Sequence, residues 1–472
     1  MQPEDPRDRR IAELMALVER LTARVAELEA QVARLSRNST NSSKPPSSDP
    51  PTVTRSPRPP TGKKRGGQPG HQGHQRKLLP SEQVDKVVRL IPDRCGCCGE
   101  SNSLTPCATA PVRSQLVEIP PIKPTVTEHQ QFAVTCSACG ATTLAPLPAD
   151  VPRGAFGPRL AAMLAVCTAK YRLSKRAVRE MLSDFLGVEL CLGSVANVEQ
   201  QVSAALAAPT AAARAYVQGA KVVHADETSW RENKQKAWLW VAATPLVSVF
   251  LIAARRSSKV AKELLGEAFA GILVTDRWSA YGWVKTVWRQ LCWAHLRRDF
   301  QSWVDAGGAG VRFGEALLVQ VKRLFKWWHK IRDGTLTREV FQKRMRALQI
   351  TVGAVLSTAE DCRSQRVAGM AKEILKLEGA LWTFVDTPDV EPTNNLGERT
   401  IRHAVLWRKG SFGTDSAEGS RFVERMLTTV ATLRQQRRNV LEFITQACEA
   451  QLKQAAPPSL LPQAVQAIPE AA

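Results

Sequence analysis

The chain has 472 residues, too many for one small core, and its 44% hydrophobic content is ordinary for globular protein. With 65 Lys and Arg against 44 Asp and Glu, a formal charge of +21, its field favours polyanions, nucleic acid ahead of a membrane surface. No apolar run reaches the roughly 20 residues a membrane span needs and the N-terminus lacks a signal-peptide stretch, so a cytoplasmic protein whose cysteines are not disulfide-bonded is expected.

In chain order, residues 1–37 form the first predicted element. Ile11, Val18, Val25 and Val32 alternate with Leu14, Leu21, Leu28 and Leu35 in an unbroken a/d register. β-Branched residues at a with leucine at d favour a parallel two-stranded coiled coil; the alternative is one amphipathic helix packed on its own domain. Residues 38–80 are rich in Ser, Pro and Gly, and from Thr52 to Lys77 carry Lys and Arg without an acid. They read as a disordered basic arm that follows phosphates, or as a solvated linker.

Residues 81–150 carry two C-x-x-C knuckles, Cys95/Cys98 and Cys136/Cys139, each followed by Gly. Four thiolates suit a structural zinc ribbon, with a β-hairpin expected in "SQLVEIPPIKPTVTEHQQFAVT" between the pairs. Cys97 and Cys107 are spare, and Cys97 is an alternative to Cys98. Residues 151–215 read as helices. Ser174 and Ser194 are the expected N-caps and Gly187 a stop, which gives a helix-turn-helix candidate or an ordinary helical hairpin. The remaining cysteines, Cys167, Cys191, Cys292, Cys362 and Cys448, read mostly as small core residues.

From residue 216 the pattern changes to strand, strand, strand, helix, strand, helix, strand, which predicts a mixed sheet covered by helices on both faces. "KVVHADETSW" (221–230) places adjacent acids, Asp226 and Glu227, at the end of an apolar run, and "GILVTD" (271–276) again ends in Asp276. If these strands are parallel neighbours, both aspartates emerge at one edge. Glu398, in the first turns of a helix begun by "PTNN", is the best third acid, with Arg399 and Arg402 on the same helix. Glu227 faces away from Asp226 on a strand and should pair with a nearby Arg or Lys. His224 shares Asp226's face and is expected to pack rather than ligate.

Together with "NSSKPPSSD" (41–49), "GGQPGHQGH" (66–74), "HADETSW" (224–230), "CWAHLRRDF" (292–300), "EPTNNLGERTIR" (391–402) and "RKGSFGTDSAEGSRFVERMLT" (408–428), these features resemble a DDE transposase of the insertion sequence sixty-six family over nearly the whole chain. The resemblance implies an RNase H-like core at 216–405 with a helical insertion about 301–390. It also implies a metal-binding catalytic triad of Asp226, Asp276 and Glu398, and a C-x-x-H pair, Cys292 and His295. That pair would bind metal, brace the site, contact DNA or act on the scissile phosphate. The fold class is thus multidomain α/β, with coiled coil, zinc ribbon and helix-turn-helix-like helices ahead of the core.

Phosphodiester cleavage and strand transfer need both the attacking and the leaving oxygen stabilised, which two Mg²⁺ (or Mn²⁺) ions ~4 Å apart do as a clamp. Asp226 would bridge the ions, with Asp276 and Glu398 holding one each. The expected partners are DNA, meaning element ends and target, a second copy through the coiled coil in a homodimer or higher oligomer, and accessory proteins of the element. The rival readings are a nuclease without strand transfer and a catalytically inactive, zinc-containing dimeric DNA-binding regulator. Residues 406–455 read as C-terminal helices whose Arg421, Arg425, Arg434, Arg437 and Arg438 make a solvated basic face or touch DNA, and 456–472 as a disordered tail.

Overall fold

The structure is a computed structural model that describes residues 6–42, 49, 77–101, 104, 105, 107 and 109–462. The basic stretch from Thr52, apart from Lys77, lies outside the described residues, as do 463–472. The chain divides into two compact units, 54–125 and the remainder.

Among the described residues of the smaller unit the chain is without helix or strand apart from a 3-10 turn at Ser81–Gln83, and it turns at the first cysteine knuckle. The knuckle closes through Gly99 N–H to the Cys95 carbonyl at 2.9 Å and Cys95 N–H to the Glu100 carbonyl at 2.8 Å. Leu90, Val112 and Leu116 are exposed, and the described residues of the unit build no apolar core.

The larger unit begins with α1 (Pro6–Leu35), whose a and d residues are all exposed. The turn after it is tied down: Ser39 donates to Asp49 through N–H and Oγ at 2.7 and 2.6 Å, and Asn41 Nδ2 donates to Asp305 at 2.8 Å. Residues 38–42, expected to be unstructured, are tied by these part-buried Asn and Asp hydrogen bonds. β1 (Ala133–Thr135) and β2 (Thr142–Leu144) pair antiparallel around the second knuckle. The expected hairpin between the cysteine pairs is therefore displaced. Pro120, Pro121 and Pro124 remove N–H donors from that stretch, and only its last residues pair.

Next come α2 (Pro158–Ala169), α3 (Lys175–Leu186), α4 (Leu192–Ala205) and α5 (Ala207–Gln218). Ser174 Oγ caps α3 by accepting from Ala177 N–H, and Gly187 ends it at φ 62°. The cap of α4 lies three residues before the expected Ser194. The exposed thiol of Cys191 takes the cap position and accepts from Ser194 N–H, so Cys191 is not a core cysteine.

The sheet comprises β3 (Val222–Glu232), β4 (Gln235–Ala243), β5 (Ser248–Ala253), β6 (Ile272–Thr275) and β7 (Arg289–Leu291), in the order β5-β4-β3-β6-β7. β3–β4 and β4–β5 are antiparallel; β3–β6 and β6–β7 are parallel. β3 runs well past Asp226 to a two-residue turn at Asn233 and Lys234, both with positive φ. α6 (Ser258–Leu265) links β5 to β6, and two 3-10 turns replace the short helix expected before β7.

α7 (Trp293–Asp305), α8 (Val311–Arg332), α9 (Arg338–Glu360), α10 (Gln365–Leu375) and α11 (Thr383–Asp386) follow, then α12 (Asn395–Ser411), α13 (Ala417–Gln435) and α14 (Val440–Leu452). Two apolar clusters sandwich the sheet. Leu273 joins one with α2–α5 and α12–α14; Ile272 and Val274, on the opposite face of the same strand, join the other with α7–α11. β6 is thus an unbroken apolar run because both its faces are covered.

The edge strand β5 is closed by side chains spaced four apart on α13. Thr432, Thr428 and Glu424 accept from the N–H groups of Ser248, Phe250 and Ile252 at 3.1, 3.0 and 2.5 Å. Several arginines expected on a solvated face are bound instead. Arg421 pairs with Glu424 at 2.8 Å, Arg425 donates to the Ser203 carbonyl at 2.9 Å and Arg438 to the Ser459 carbonyl at 2.9 Å. The last contact also starts the tail later than expected, since Leu460 is fully buried.

Candidate functional site

The register of β3 and β6 pairs His224 with Val274. Each acid comes two residues later, so the parallel alignment sets Asp226 beside Asp276 at one edge of the sheet. Asp226 Oδ1 accepts from Glu227 N–H and Asp276 Oδ1 from Trp278 N–H, both at 2.9 Å. Burial pushes the Asp226 carboxyl well above the usual range, and the charges of Glu227, Asp276 and Glu398 push it further. Arg289, only 2% exposed, reaches from β7 to the Asp276 carbonyl oxygen at 3.3 Å and to Thr275 Oγ1 at 3.2 Å.

Glu227 has partners of its own. It is bound by Arg256, with Nε to Oε1 at 2.8 Å, and by the Tyr281 hydroxyl at 2.5 Å. The guanidinium of Arg256 stacks on Trp278 at 3.8 Å from the ring centroid. Adjacent strand positions thus hold one acid matched by a cation and one that meets mainly other acids.

Glu398 sits in the first turn of α12. Burial raises its pKa, Arg298 opposes the rise and Asp276 adds to it. Its Oε1 is 3.3 Å from His295 Nδ1 and 3.9 Å from Arg298 Nη2. Cys292 and His295, at the start of α7, bring donor atoms that lie, with Glu398's, within 4.8 Å of one another. Arg399 and Arg402 on α12 are exposed.

Asn394 places that helix, and the sequence reading missed it. "PTNN" read as a helix start, but Asn394 caps nothing with its side chain. Its Nδ2 donates to the Ala225 carbonyl at 2.8 Å, one residue before Asp226, and its Oδ1 meets His224 Nδ1 at 3.1 Å. Its N–H donates to Cys292 Sγ at 3.2 Å, and its carbonyl accepts from Glu398 N–H at 3.0 Å. One buried amide therefore fastens the helix of the third acid to the strand of the first and to the start of α7. Gly397 makes room for it, since a Cβ there would lie 2.8 Å from Asn394 Oδ1. His224 packs as expected; burial lowers its pKa to about 4. The one signal in the sequence is the paired asparagine four residues before the acid.

The three acids suit a hard divalent cation. They are oxygen donors, Asp226 meets mainly other acids, and Glu398 Oε1 is buried without a hydrogen bond. The thiols of each knuckle suit a softer one. The backbone N–H groups of Cys98 and Cys97 hold the Cys95 thiol below its ordinary pKa, and those of Cys139 and Ala138 do the same for Cys136.

Among the described residues no helix is long and apolar enough to cross a membrane. Comparison with curated proteins gave no match. A family of unknown function matches residues 2–77. The zinc-finger binding domain of transposase IS66 matches 92–140, a span that includes both knuckles, which supports zinc as a cofactor. The model described as Transposase IS66 family matches residues 153–422, more than half of the chain and all of the acid cluster. The chain therefore belongs to the transposase IS66 family, a family of DNA-cleaving, DNA-binding enzymes, and it carries that family's zinc finger.

Proposed function

We propose that the chain recognises the terminal inverted repeats of its own insertion sequence, cuts DNA at those ends and joins the freed 3′-ends to target DNA. The observation that carries this reading is the convergence of Asp226 and Asp276, set side by side by a parallel register, with Glu398 on a helix clipped to the same strand by Asn394. The strand order and the helical insertion between β7 and α12 fit an RNase H-like core.

Asp226, Asp276 and Glu398 would hold two Mg²⁺ ions, which when bound stabilise the attacking and leaving oxygens of an in-line phosphoryl displacement. The chain itself supplies orientation. Asn394 fixes α12, Arg289 fixes the backbone of Asp276, and Arg256 with Tyr281 neutralises Glu227 so that it stays out of the metal set. Exposed Arg399 and Arg402, one and four residues beyond Glu398, meet DNA phosphates.

Cys95, Cys98, Cys136 and Cys139 hold the structural zinc, and α3 with α4 forms the helix-turn-helix that reads the ends together with the zinc finger and the basic arm. The exposed a/d stripe of α1 pairs two protomers in a coiled coil, because two DNA ends must be handled together. The test is a reaction on element-end DNA with Mg²⁺. Cut ends and joined product are expected from the wild-type chain, and binding without cleavage from Asp226→Asn. Cut ends without joining would reduce the reading to a nuclease, and cleavage by Asp226→Asn would reject the triad.

A further inference from the structure

Three donors of different hardness meet beside the acid pair: a thiol, an imidazole and one carboxylate oxygen. Cys292 is the residue before α7, His295 lies in that helix's first turn, and Glu398 faces them from the first turn of α12. Their ligand atoms lie within 4.8 Å of one another, a span that one ion can bridge. His295 Nδ1 and Glu398 Oε1 are both buried without a hydrogen-bond partner and lie 3.3 Å apart. Buried polar atoms are ordinarily satisfied, so two neighbouring orphans indicate a missing partner. The third donor is a buried thiol. Cys292 Sγ, 1% exposed, accepts the Asn394 N–H at 3.2 Å at the N-terminus of α7, and because burial raises its pKa a cation must displace its proton to bind it.

We propose that Cys292, His295 and Glu398 form a site for a soft divalent cation such as Zn²⁺. Sulfur and imidazole select zinc or cobalt over magnesium, and three protein ligands leave one position for water. Binding expels the thiol proton to solvent. On the reading that Glu398 also serves the magnesium pair, zinc here draws that carboxylate away, so the same site restrains cleavage when zinc is abundant.

The test counts metal on the full-length chain, equilibrated with buffered zinc and freed of excess by gel filtration. Wild type is expected to hold one zinc more than the zinc finger takes. Cys292→Ser and His295→Gln should each lose that one ion while keeping the other, with folding checked by circular dichroism. Asp226→Asn should keep both. In the Cys95→Ser/Cys98→Ser chain, cobalt at the remaining site should give a thiolate-to-metal charge-transfer band that Cys292→Ser abolishes. Zinc added to a magnesium-dependent cleavage reaction should slow wild type by about tenfold or more. Unchanged zinc content in both Cys292→Ser and His295→Gln would overturn the site, and zinc bound there without inhibition would overturn the sharing of Glu398. If Asp226→Asn still cleaves DNA, the triad falls while the metal count stands by itself.

Discussion

Two acids that meet the same sheet, one from a covering helix and one from a central strand, are treated in opposite ways. Glu424 covers edge strand β5 and is compensated: it accepts the Ile252 N–H at 2.5 Å and pairs with Arg421 at 2.8 Å. Asp226, on central strand β3, receives one backbone N–H from its neighbour and the added charge of three more acids. Burying a charge without a partner is costly, so a fold retains such a cluster where a bound cation supplies the partner. Glu424 does a structural job, and Asp226 would do a chemical one on the proposed function; the neighbours of each, rather than its depth, make the difference.

The largest test of this contrast is Asp226→Asn. It should lower DNA cleavage by on the order of 10³-fold or more, measured by product formation at saturating Mg²⁺. The metal-free protein should at the same time become more resistant to denaturant, because one member of a like-charged cluster is gone. A loss of stability instead would mean that Asp226 is compensated after all.

Glu227 lies between the two cases, since it is adjacent to Asp226 and nonetheless paired. Arg256→Ala strands a carboxylate whose side chain is 1% exposed, and should cost about 3 kcal/mol in urea unfolding. Adding Glu227→Gln should restore most of that loss, because the amide no longer requires a cation. Failure of the double variant to recover would place the cost in the lost Arg256–Trp278 stacking.

Asn394→Ala should cost about 2 kcal/mol, from an unsatisfied Ala225 carbonyl and the cavity left in the clip. Its signature is a raised Mg²⁺ requirement for cleavage, because Glu398 is no longer held against β3. Equal loss of stability with an unchanged Mg²⁺ requirement would make Asn394 a packing residue only.

Much of this was legible because periodicity and strand-end chemistry are local. The alternation of valine and leucine marks α1, and two apolar runs ending in Asp226 and Asp276 mark β3 and β6 as a pair. The parallel register then follows from sheet rules, since β3 and β6 are joined by intervening elements rather than a tight turn. Readings failed where a residue acts at long range or out of type. Asn394 resembles a helix cap and works as a clip to a strand 169 residues away. Cys191 caps α4 where Ser194 was the better propensity. Asn233–Lys234 turns β3 into β4 with a lysine at positive φ, a placement that turn preferences argue against. Arg421, Arg425 and Arg438 read as a solvated or DNA-touching basic face, and only the packed helices show the backbone carbonyls and the carboxylate they serve.

The smallest expected effect is at Glu424 and depends on pH. Burial raises its pKa from 4.5 to about 7, with Arg421 working against the rise. Its folded pKa exceeds the unfolded one, so the folded state binds the extra proton and Glu424's contribution is full below pH 4.5 and lost as pH rises through about 7. Glu424→Gln keeps an oxygen for the Ile252 N–H but cannot ionise. The variant should match wild type at pH 4 and exceed it by on the order of 1 kcal/mol at pH 8, read as the difference between paired urea titrations. Taking the difference cancels the acid cluster, which both proteins share. If the variant is instead weaker at pH 8 by a similar amount, the Arg421 ion pair outweighs the burial cost, and the edge of β5 is held by charge as well as by hydrogen bonds.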